Sequence, residues 1–149
     1  MLDGFALEPL SRRHRRDAFR CASASLNDFI RKRAKGQDAG DTTRVHVYAD
    51  ASGRIAGFFT LSAHMLDLTG LPDSLRRGRP QLAVPATLLG RFAVDDEFVG
   101  GGLGRYLLGR ALRTACEASA LVASAVVALD LANDASANAE RLYIRNHLG

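Results

Sequence analysis

The fold of this chain is decided by one stretch, which reads Leu88-Leu89-Gly90-Arg91-Phe92-Ala93-Val94-Asp95-Asp96-Glu97-Phe98-Val99-Gly100-Gly101-Gly102-Leu103-Gly104-Arg105-Tyr106-Leu107-Leu108. The pattern predicts a strand that ends at Val94, a turn of glycines, and a helix that begins at Gly102 and ends near Ala118. Backbone N–H groups and the positive end of the helix dipole would then point at one place, which would bind phosphate. The glycines alone leave a flexible connection open as the alternative, since glycine tolerates positive φ angles in any turn.

Two common phosphate-binding motifs do not fit these glycines. The Rossmann motif follows a first strand, with an acidic residue about 20 residues further on, whereas this stretch lies past mid-chain. The P-loop needs Gly-Lys-Ser/Thr, which is absent. The stretch resembles motif A of the GNAT superfamily of N-acetyltransferases, R/Q-x-x-G-x-G/A at the start of a helix. Here the frame is Val99-Gly100-Gly101-Gly102-Leu103-Gly104, with Val99 where the family usually has Arg or Gln.

The resemblance implies that the chain binds acetyl-coenzyme A (acetyl-CoA). In that family the strand before the glycines and the next strand along the chain separate, and the pantetheine arm lies between them against backbone groups. The residues expected to bind the coenzyme are Phe92, Ala93, Val94, Val99, Gly100, Gly101, Gly102, Leu103, Gly104 and Arg105. Asp95, Asp96 and Glu97 are interpreted as residues that form the turn, and no carboxylate is identified as a general base.

Length and composition predict one domain over residues 1–149. The chain is 47% hydrophobic and 24% charged, and 149 residues can bury a core without disulfides or metal. Cys21 and Cys116 and the four scattered histidines form no metal-ligand spacing, so no metal is expected. No apolar run is long enough for a membrane span or a signal segment. A cytoplasmic location, without membrane association, is therefore expected.

Positive charge is the strongest bias in the composition. The net charge is +4, and the basic residues are arginine except for Lys32 and Lys35. They cluster at residues 12–16, 31–33 and 76–79. Arginine forks match phosphate oxygens, so an anionic partner is one explanation. A genome rich in G and C is the other, and composition alone leaves both open.

The order of predicted elements indicates an α/β fold. A first strand (Ala6 to Pro9) precedes a short helical turn and a helix capped by Ser25. A hairpin (Thr43 to Tyr48 and Ile55 to Leu68), a loop and the Leu88–Val94 strand follow. After the glycine-started helix, the apolar run from Leu121 to Asp130 suggests a strand in a parallel pair. A last helix is predicted from Asn133 or Ser136 to about Asn146. This order is similar to the GNAT fold, a mixed central sheet flanked by helices.

The last predicted helix contains the candidate catalytic acid. Ala139-Glu140-Arg141-Leu142-Tyr143 is similar to the family motif A-x-x-F-Y. The resemblance implies that Tyr143 protonates the thiolate that leaves coenzyme A. A tyrosine pKa of about 10 against about 8.5 for a thiol makes this transfer slightly uphill between the free groups, but hydrogen bonding in the transition state makes it workable. A structural tyrosine of the core is the alternative.

Further segments narrow the resemblance to one branch. They are Glu8-Pro9-Leu10, Leu26-Asn27-Asp28-Phe29-Ile30, Arg54-Ile55-Ala56-Gly57-Phe58-Phe59-Thr60-Leu61 and Leu89-Gly90-Arg91-Phe92-Ala93-Val94-Asp95. Over about residues 6–146 the chain resembles the acetyltransferase toxins of bacterial type II toxin–antitoxin systems. That implies acetylation of the α-amine of aminoacyl-tRNA, a block of translation, and a ribbon-helix-helix antitoxin as partner. The candidate tRNA contacts are Arg76, Arg77, Arg79 and Arg91.

One departure concerns the end of the sequence. Members of that branch continue past the tyrosine helix into a final strand or hairpin, whereas this sequence stops at His147-Leu148-Gly149. The expected sheet therefore lacks its usual C-terminal strand, and the strand over residues 121–130 has an open edge. Open edges recruit strands, so a homodimer or pairing with an antitoxin segment is expected. An acetyltransferase for small amines or protein N-termini, and an inactive remnant that binds coenzyme A or antitoxin, remain as alternatives.

Overall fold

The computed structural model describes residues 1–67, 73, 83–124, 126–130 and 141–145. In these residues six strands form one sheet, in the order of the chain. They are β1 (Phe5–Pro9), β2 (Arg44–Asp50), β3 (Ile55–Asp67), β4 (Ala83–Val94), β5 (Val126–Asp130) and β6 (Arg141–Arg145). All neighbours are antiparallel except β4 and β5, which are parallel. The predicted mixed α/β sheet with one parallel pair is confirmed.

N-terminal helices cover one face of the sheet. They are α1 (Ala24–Asp28), a π-helical segment (Phe29–Arg33) and α2 (Ala34–Ala39). The predicted cap at Ser25 is wrong, because α1 is capped by Ser23, whose Oγ accepts the N–H of Leu26. The sequence predicts a loop from Gly36 to Asp41, but helical structure continues to Ala39. The core on this side includes Phe19, Leu26, Phe29, Ile30, Val45, Val47, Phe58 and Ala93.

The helix that starts at the glycines, α3 (Leu103–Leu121), covers the other face. Its buried residues recur every four positions, which gives one face toward the sheet: Leu103, Leu107, Ala111, Ala115 and Ser119. The helix approaches β3 closely at Gly57. A Cβ there would overlap Cδ1 of Leu107 and lie 3.0 Å from the carbonyl oxygen of Ala93. A larger residue would require the Leu107 side chain to move and the Ala93 carbonyl to shift slightly.

A β-bulge interrupts β4 just before the glycine turn. The flanking pairs are Phe59 with Phe92 and Leu61 with Leu89. Two residues of β4, Gly90 and Arg91, therefore lie opposite one residue of β3, Thr60. The extra residue changes the phase of the strand, so that Leu89 and Phe92 both pack in the cluster next to α3.

The end of the chain differs from the prediction. Residues 141–145 form strand β6, antiparallel to β5, so the predicted helix through Tyr143 is wrong for these residues. The expectation of an open edge beside β5 is also wrong, because β6 pairs with all five residues of β5. In the described part of the chain, no helix is long and apolar enough to cross a membrane.

Candidate coenzyme site

The glycine turn has the backbone geometry that the sequence predicts for an anion site. Gly100 and Gly102 have φ angles of 92° and 84°, a region that side-chain-bearing residues rarely adopt. Gly102 is the N-cap of α3, and no side chain caps the helix within the described residues. The first N–H groups of a helix have no partner inside it. Those of α3 begin at a turn of exposed glycines, so the turn can present several N–H groups to a phosphate.

A buried carboxylate fixes the start of this turn. Asp95 directly follows β4 and is 2% exposed. It accepts hydrogen bonds from the N–H groups of Arg20 and Glu97, each at 2.9 Å. It also pairs with the guanidinium of Arg54 at 3.1 and 3.2 Å. The interpretation of Asp95 as a turn-forming residue is confirmed, and its link to Arg20 ties the turn to the N-terminal segment.

Among the described residues, β4 has no strand neighbour on the side of β5 beyond Leu89. The described pairs between β4 and β5 run only from Ala86–Val126 to Leu89–Leu129, although β4 continues to Val94. The N–H of Asp95 bonds to the carbonyl of Ala56 in β3. Backbone groups alternate in direction along a strand, so those of Phe92 and Val94 point away from β3, toward the side of β5. The resemblance implies that the pantetheine arm binds on this side, and that stays a prediction.

The backbone of the bulge is hydrogen-bonded to a side chain of β3. The N–H of Arg91 donates to Oγ1 of Thr60 at 2.9 Å. The guanidinium of Arg91 lies over the ring of Phe29, 4.1 Å from its centroid. Arg91, a predicted tRNA contact, is thus half-buried and packed against the N-terminal helices. The other three candidates, Arg76, Arg77 and Arg79, lie outside the described residues.

The backbone of Tyr143 lies two strands from β4. Tyr143 is paired with Ala128, which in turn pairs with Leu88 of β4. The pair of Leu88 with Ala128 is one residue before the last described pair between β4 and β5. The backbone of Tyr143 is therefore close to the place where the described pairing of these two strands ends. Its role as catalytic acid stays a prediction.

These features fit the groups of acetyl-CoA. The free N–H groups at the start of α3 suit the pyrophosphate, and the backbone groups of Phe92 and Val94 suit the amides of the pantetheine arm. Among the described residues, no group of three or more His, Cys, Asp or Glu side chains could hold a metal ion.

Sequence reasoning missed three functional features of this site. The bulge had a signal, because an isolated glycine within a strand, here Gly90, suggests a bulge. The bond from Arg91 to Thr60 and the pair between Arg54 and Asp95 had none, since each joins residues far apart in the chain.

Similar proteins share both the sequence pattern and the fold. No family model matches the chain. It is 31% identical over 128 residues to the "Probable toxin TacT" of Sinorhizobium fredii, across 84% of this chain and 71% of that protein. It is 34% identical over 102 residues to the "tRNA-acetylating toxin" of Mycobacterium tuberculosis, across 68% of this chain and 60% of that protein.

Two solved structures have the same fold. "AtaT complexed with acetyl-methionyl-tRNAfMet" matches with a TM-score of 0.83 at 20% identity, over 95% of this chain and 94% of that one. "AtaTR bound with AcCoA" matches with a TM-score of 0.82 at 21% identity, over 97% and 95%. Together with the glycine turn, these similarities show the family: the chain belongs to the GNAT-fold acetyltransferase toxins of bacterial toxin–antitoxin systems.

Proposed function

We propose that this protein transfers the acetyl group of acetyl-CoA to the α-amine of aminoacyl-tRNA and so blocks translation. The observation that carries the proposal comes from the described residues: a glycine turn without a side-chain cap follows a stretch of β4 that has no strand neighbour on the side of β5. A relative named for tRNA acetylation supports the choice of acceptor. The neighbour complexed with acetyl-methionyl-tRNA supports it further.

The chain's own residues would bind the coenzyme in two parts. Backbone N–H groups from Val99 to Arg105 hold the pyrophosphate at the start of α3. Backbone groups of Phe92 to Val94 bond the pantetheine arm, as an additional strand would. The neighbour named as bound with AcCoA supports this ligand. Val99 offers no side-chain contact to the pyrophosphate, so binding there depends on the backbone.

The chemistry needs a positioned carbonyl and one proton donor. A backbone N–H of β4 near the thioester carbonyl would stabilise the negative charge that develops there. The C–N bond to the amine forms as the C–S bond breaks, and the hydroxyl of Tyr143 gives its proton to the departing sulfur. The nitrogen then loses one proton to solvent, and the phenolate of Tyr143 takes one back from solvent. An α-amine has a pKa of about 7.7–8.0, against about 10.4 for lysine, so it needs little help to be unprotonated.

Charge supports a nucleic-acid acceptor over a small amine. The net charge is +4, and Arg76, Arg77 and Arg79 cluster within four residues. We assign these three, with Arg91, to the tRNA backbone. We further propose an antitoxin of the ribbon-helix-helix class as partner, a cytoplasmic location and a homodimer. Membership in a toxin–antitoxin family supports the antitoxin.

The test identifies the molecule that receives the acetyl group. The protein is incubated with labelled acetyl-CoA, total charged tRNA and, in parallel, total protein. We expect label on the tRNA, released by mild base as an N-acetyl amino acid. Label on protein N-termini or small amines would show that these groups, and not aminoacyl-tRNA, are the acceptor. No transfer to any acceptor would indicate a protein that binds coenzyme A without catalysis.

A further inference from the structure

The hydroxyl of Thr60 is a buried polar group that lies next to the bulge of β4. Thr60 is 1% exposed and lies on β3, opposite the bulge of β4. A buried hydroxyl costs free energy unless it is hydrogen-bonded. Here Oγ1 accepts the N–H of Arg91 at 2.9 Å. A valine would have the same shape and no such cost, so the hydroxyl is explained by the bond it makes.

The hydrogen bond from Arg91 to Thr60 takes the place of a backbone hydrogen bond between the two strands. The extra residue of a bulge is left unpaired by the neighbouring strand. The side chain of Thr60 supplies the missing acceptor for Arg91. The ring of Phe29, which is fully buried, holds the guanidinium of the same residue 4.1 Å from its centroid. Arg91 is thus fixed through both its backbone and its side chain.

The bulge determines which backbone groups face the coenzyme. With the extra residue in place, Arg91 and Asp95 donate toward β3, so Phe92 and Val94 point toward the side of β5. Side chains and backbone groups alternate with a period of two, so a shift of one residue would reverse these directions. The groups proposed to bond the pantetheine arm would then face β3 instead.

We propose that Thr60 is a positioning residue for acetyl transfer. Its hydroxyl holds the bulge, and the bulge turns the backbone groups of Phe92 and Val94 toward the pantetheine arm and the thioester. The inference rests on the proposed function, because it takes acetyl-CoA as the ligand of these backbone groups. It adds a side chain of the neighbouring strand to a coenzyme-binding surface that is otherwise proposed to use backbone groups.

The test compares Thr60→Val, which removes only the hydroxyl, with Thr60→Ser, which keeps it. Thr114→Val is the control, because Oγ1 of Thr114 bonds to the carbonyl of Arg110 inside α3. Four quantities are measured: kcat/KM for acetyl-CoA, the hydrogen-exchange rate of the Arg91 amide, the affinity for acetyl-CoA, and the affinity for adenosine 3′-phosphate 5′-diphosphate. The last is the nucleotide half of the coenzyme and lacks the pantetheine arm.

In Thr60→Val we expect faster exchange at Arg91 and a fall in kcat/KM for acetyl-CoA on the order of 10- to 100-fold, since small misplacements at a reacting centre have effects of this size. Acetyl-CoA affinity should fall as well. Affinity for the nucleotide half should stay at the parental value, because the glycine turn is held separately by Asp95. Thr60→Ser and Thr114→Val should both behave like the parent.

Several results would overturn the inference. One is unchanged exchange at Arg91 in Thr60→Val, and another is parental kcat/KM for acetyl-CoA. An equal loss of affinity for both ligands would mean a general structural role. If the parent binds acetyl-CoA but acetylates no tRNA, only the proposed acceptor fails, since the two affinities still decide the role of Thr60. If the parent binds neither ligand, both proposals fail.

Discussion

Asp95 shows how one residue stabilises the turn on which the proposed site depends. Asp95→Ala would remove the acceptor of two backbone N–H groups and leave the largely buried Arg54 without its closest buried partner. The free energy of unfolding should fall by about 3–5 kcal/mol, as for other buried pairs that lose one member. Urea denaturation measures it.

The control for Asp95 is another aspartate with an ion pair. Asp28 lies 3.6 Å from Lys32, and its side chain is 61% exposed. Asp28→Ala should change the free energy of unfolding by less than about 1 kcal/mol, because exposed pairs contribute little. Similar losses in the two variants would contradict the structural role of Asp95.

His14 gives the protein a predictable pH dependence. Its side chain is 1% exposed, its Nδ1 accepts the N–H of Ser11 at 2.9 Å, and its Nε2 lies 2.7 Å from Glu8. Burial, together with the charge of Arg13, holds the pKa of His14 below its ordinary value of 6.5. Folding therefore favours the neutral ring. This stabilisation is complete above about pH 6.5 and is lost as pH falls through the folded pKa.

We expect His14→Gln to reduce the acid-side loss of stability without abolishing it. Burial also lowers the pKa of His46, which contributes a loss of the same sign. The measurement is the free energy of unfolding of parent and variant between about pH 7.5 and pH 5. An identical pH slope in both proteins would show that His14 does not titrate with folding.

Tyr143 is the residue whose proposed role is purely chemical. Tyr143→Phe should keep the parental affinity for acetyl-CoA, because only a hydroxyl is removed. Turnover should fall by about 10²–10⁴-fold, the usual contribution of a general acid. Calorimetry measures the affinity, and transfer of labelled acetyl measures the rate. Parental turnover in the variant would make Tyr143 a structural residue.

The start of α3 is the element that the proposed coenzyme site depends on most. Gly102→Val should abolish binding of acetyl-CoA, since a β-branched residue is strained at a φ of 84° and would obstruct the approach to the N–H groups. The reason differs at Gly104, where no positive φ occurs and a Cβ would lie an ordinary 3.9 Å from Val94. At Gly104 a large side chain would therefore reduce coenzyme affinity only by colliding with the ligand.

Gly109 is the matched control on the same helix. It is exposed, and a Cβ there would meet nothing within 4 Å. Gly109→Ala should keep coenzyme affinity and raise the free energy of unfolding by about 0.5–1 kcal/mol, the helix propensity difference. Calorimetry and thermal unfolding test both variants. Unchanged coenzyme affinity in Gly102→Val would exclude the glycine turn as the pyrophosphate site.

The elements that the sequence predicted correctly have local causes. The glycine turn, the helix after it and the parallel strand that follows can all be predicted from neighbouring residues. Strand β6 could not be predicted in this way. Its five residues are too few to distinguish helix from strand by period, and the edge of β5 decides between them. The bulge had a local signal in Gly90, but the hydroxyl that bonds its backbone is 31 residues away.

At the scale of the whole molecule, the two helical layers serve different parts of the proposed site. On one face, α3 brings its N-terminus to the end of β4. On the other, the N-terminal helices contact the bulge through Phe29, and the segment before them connects to the turn through Arg20. Among the described residues, the pairing of β4 with β5 ends at Leu89, whereas the pairing of β4 with β3 continues to Val94.

The net charge of +4 leads to the last prediction, which concerns salt. If arginines contact tRNA phosphates, kcat/KM for aminoacyl-tRNA should fall steeply between about 50 and 200 mM salt, because binding releases counterions. Acetyl-CoA is itself an anion, so its affinity is measured over the same range and its salt dependence is subtracted. The remaining slope belongs to the acceptor.

Single substitutions can then locate the arginines that bind phosphate. Arg76→Ala, Arg77→Ala and Arg79→Ala should each reduce the logarithmic salt slope by about one for every phosphate that the replaced arginine neutralises. The control is Arg113→Ala, which removes the same charge from an exposed position on α3. It changes the net charge equally, so its slope should stay near the parental value. If all four variants reduced the slope alike, the effect would come from the general field of the protein, and the cluster at residues 76–79 would not be the tRNA-binding surface.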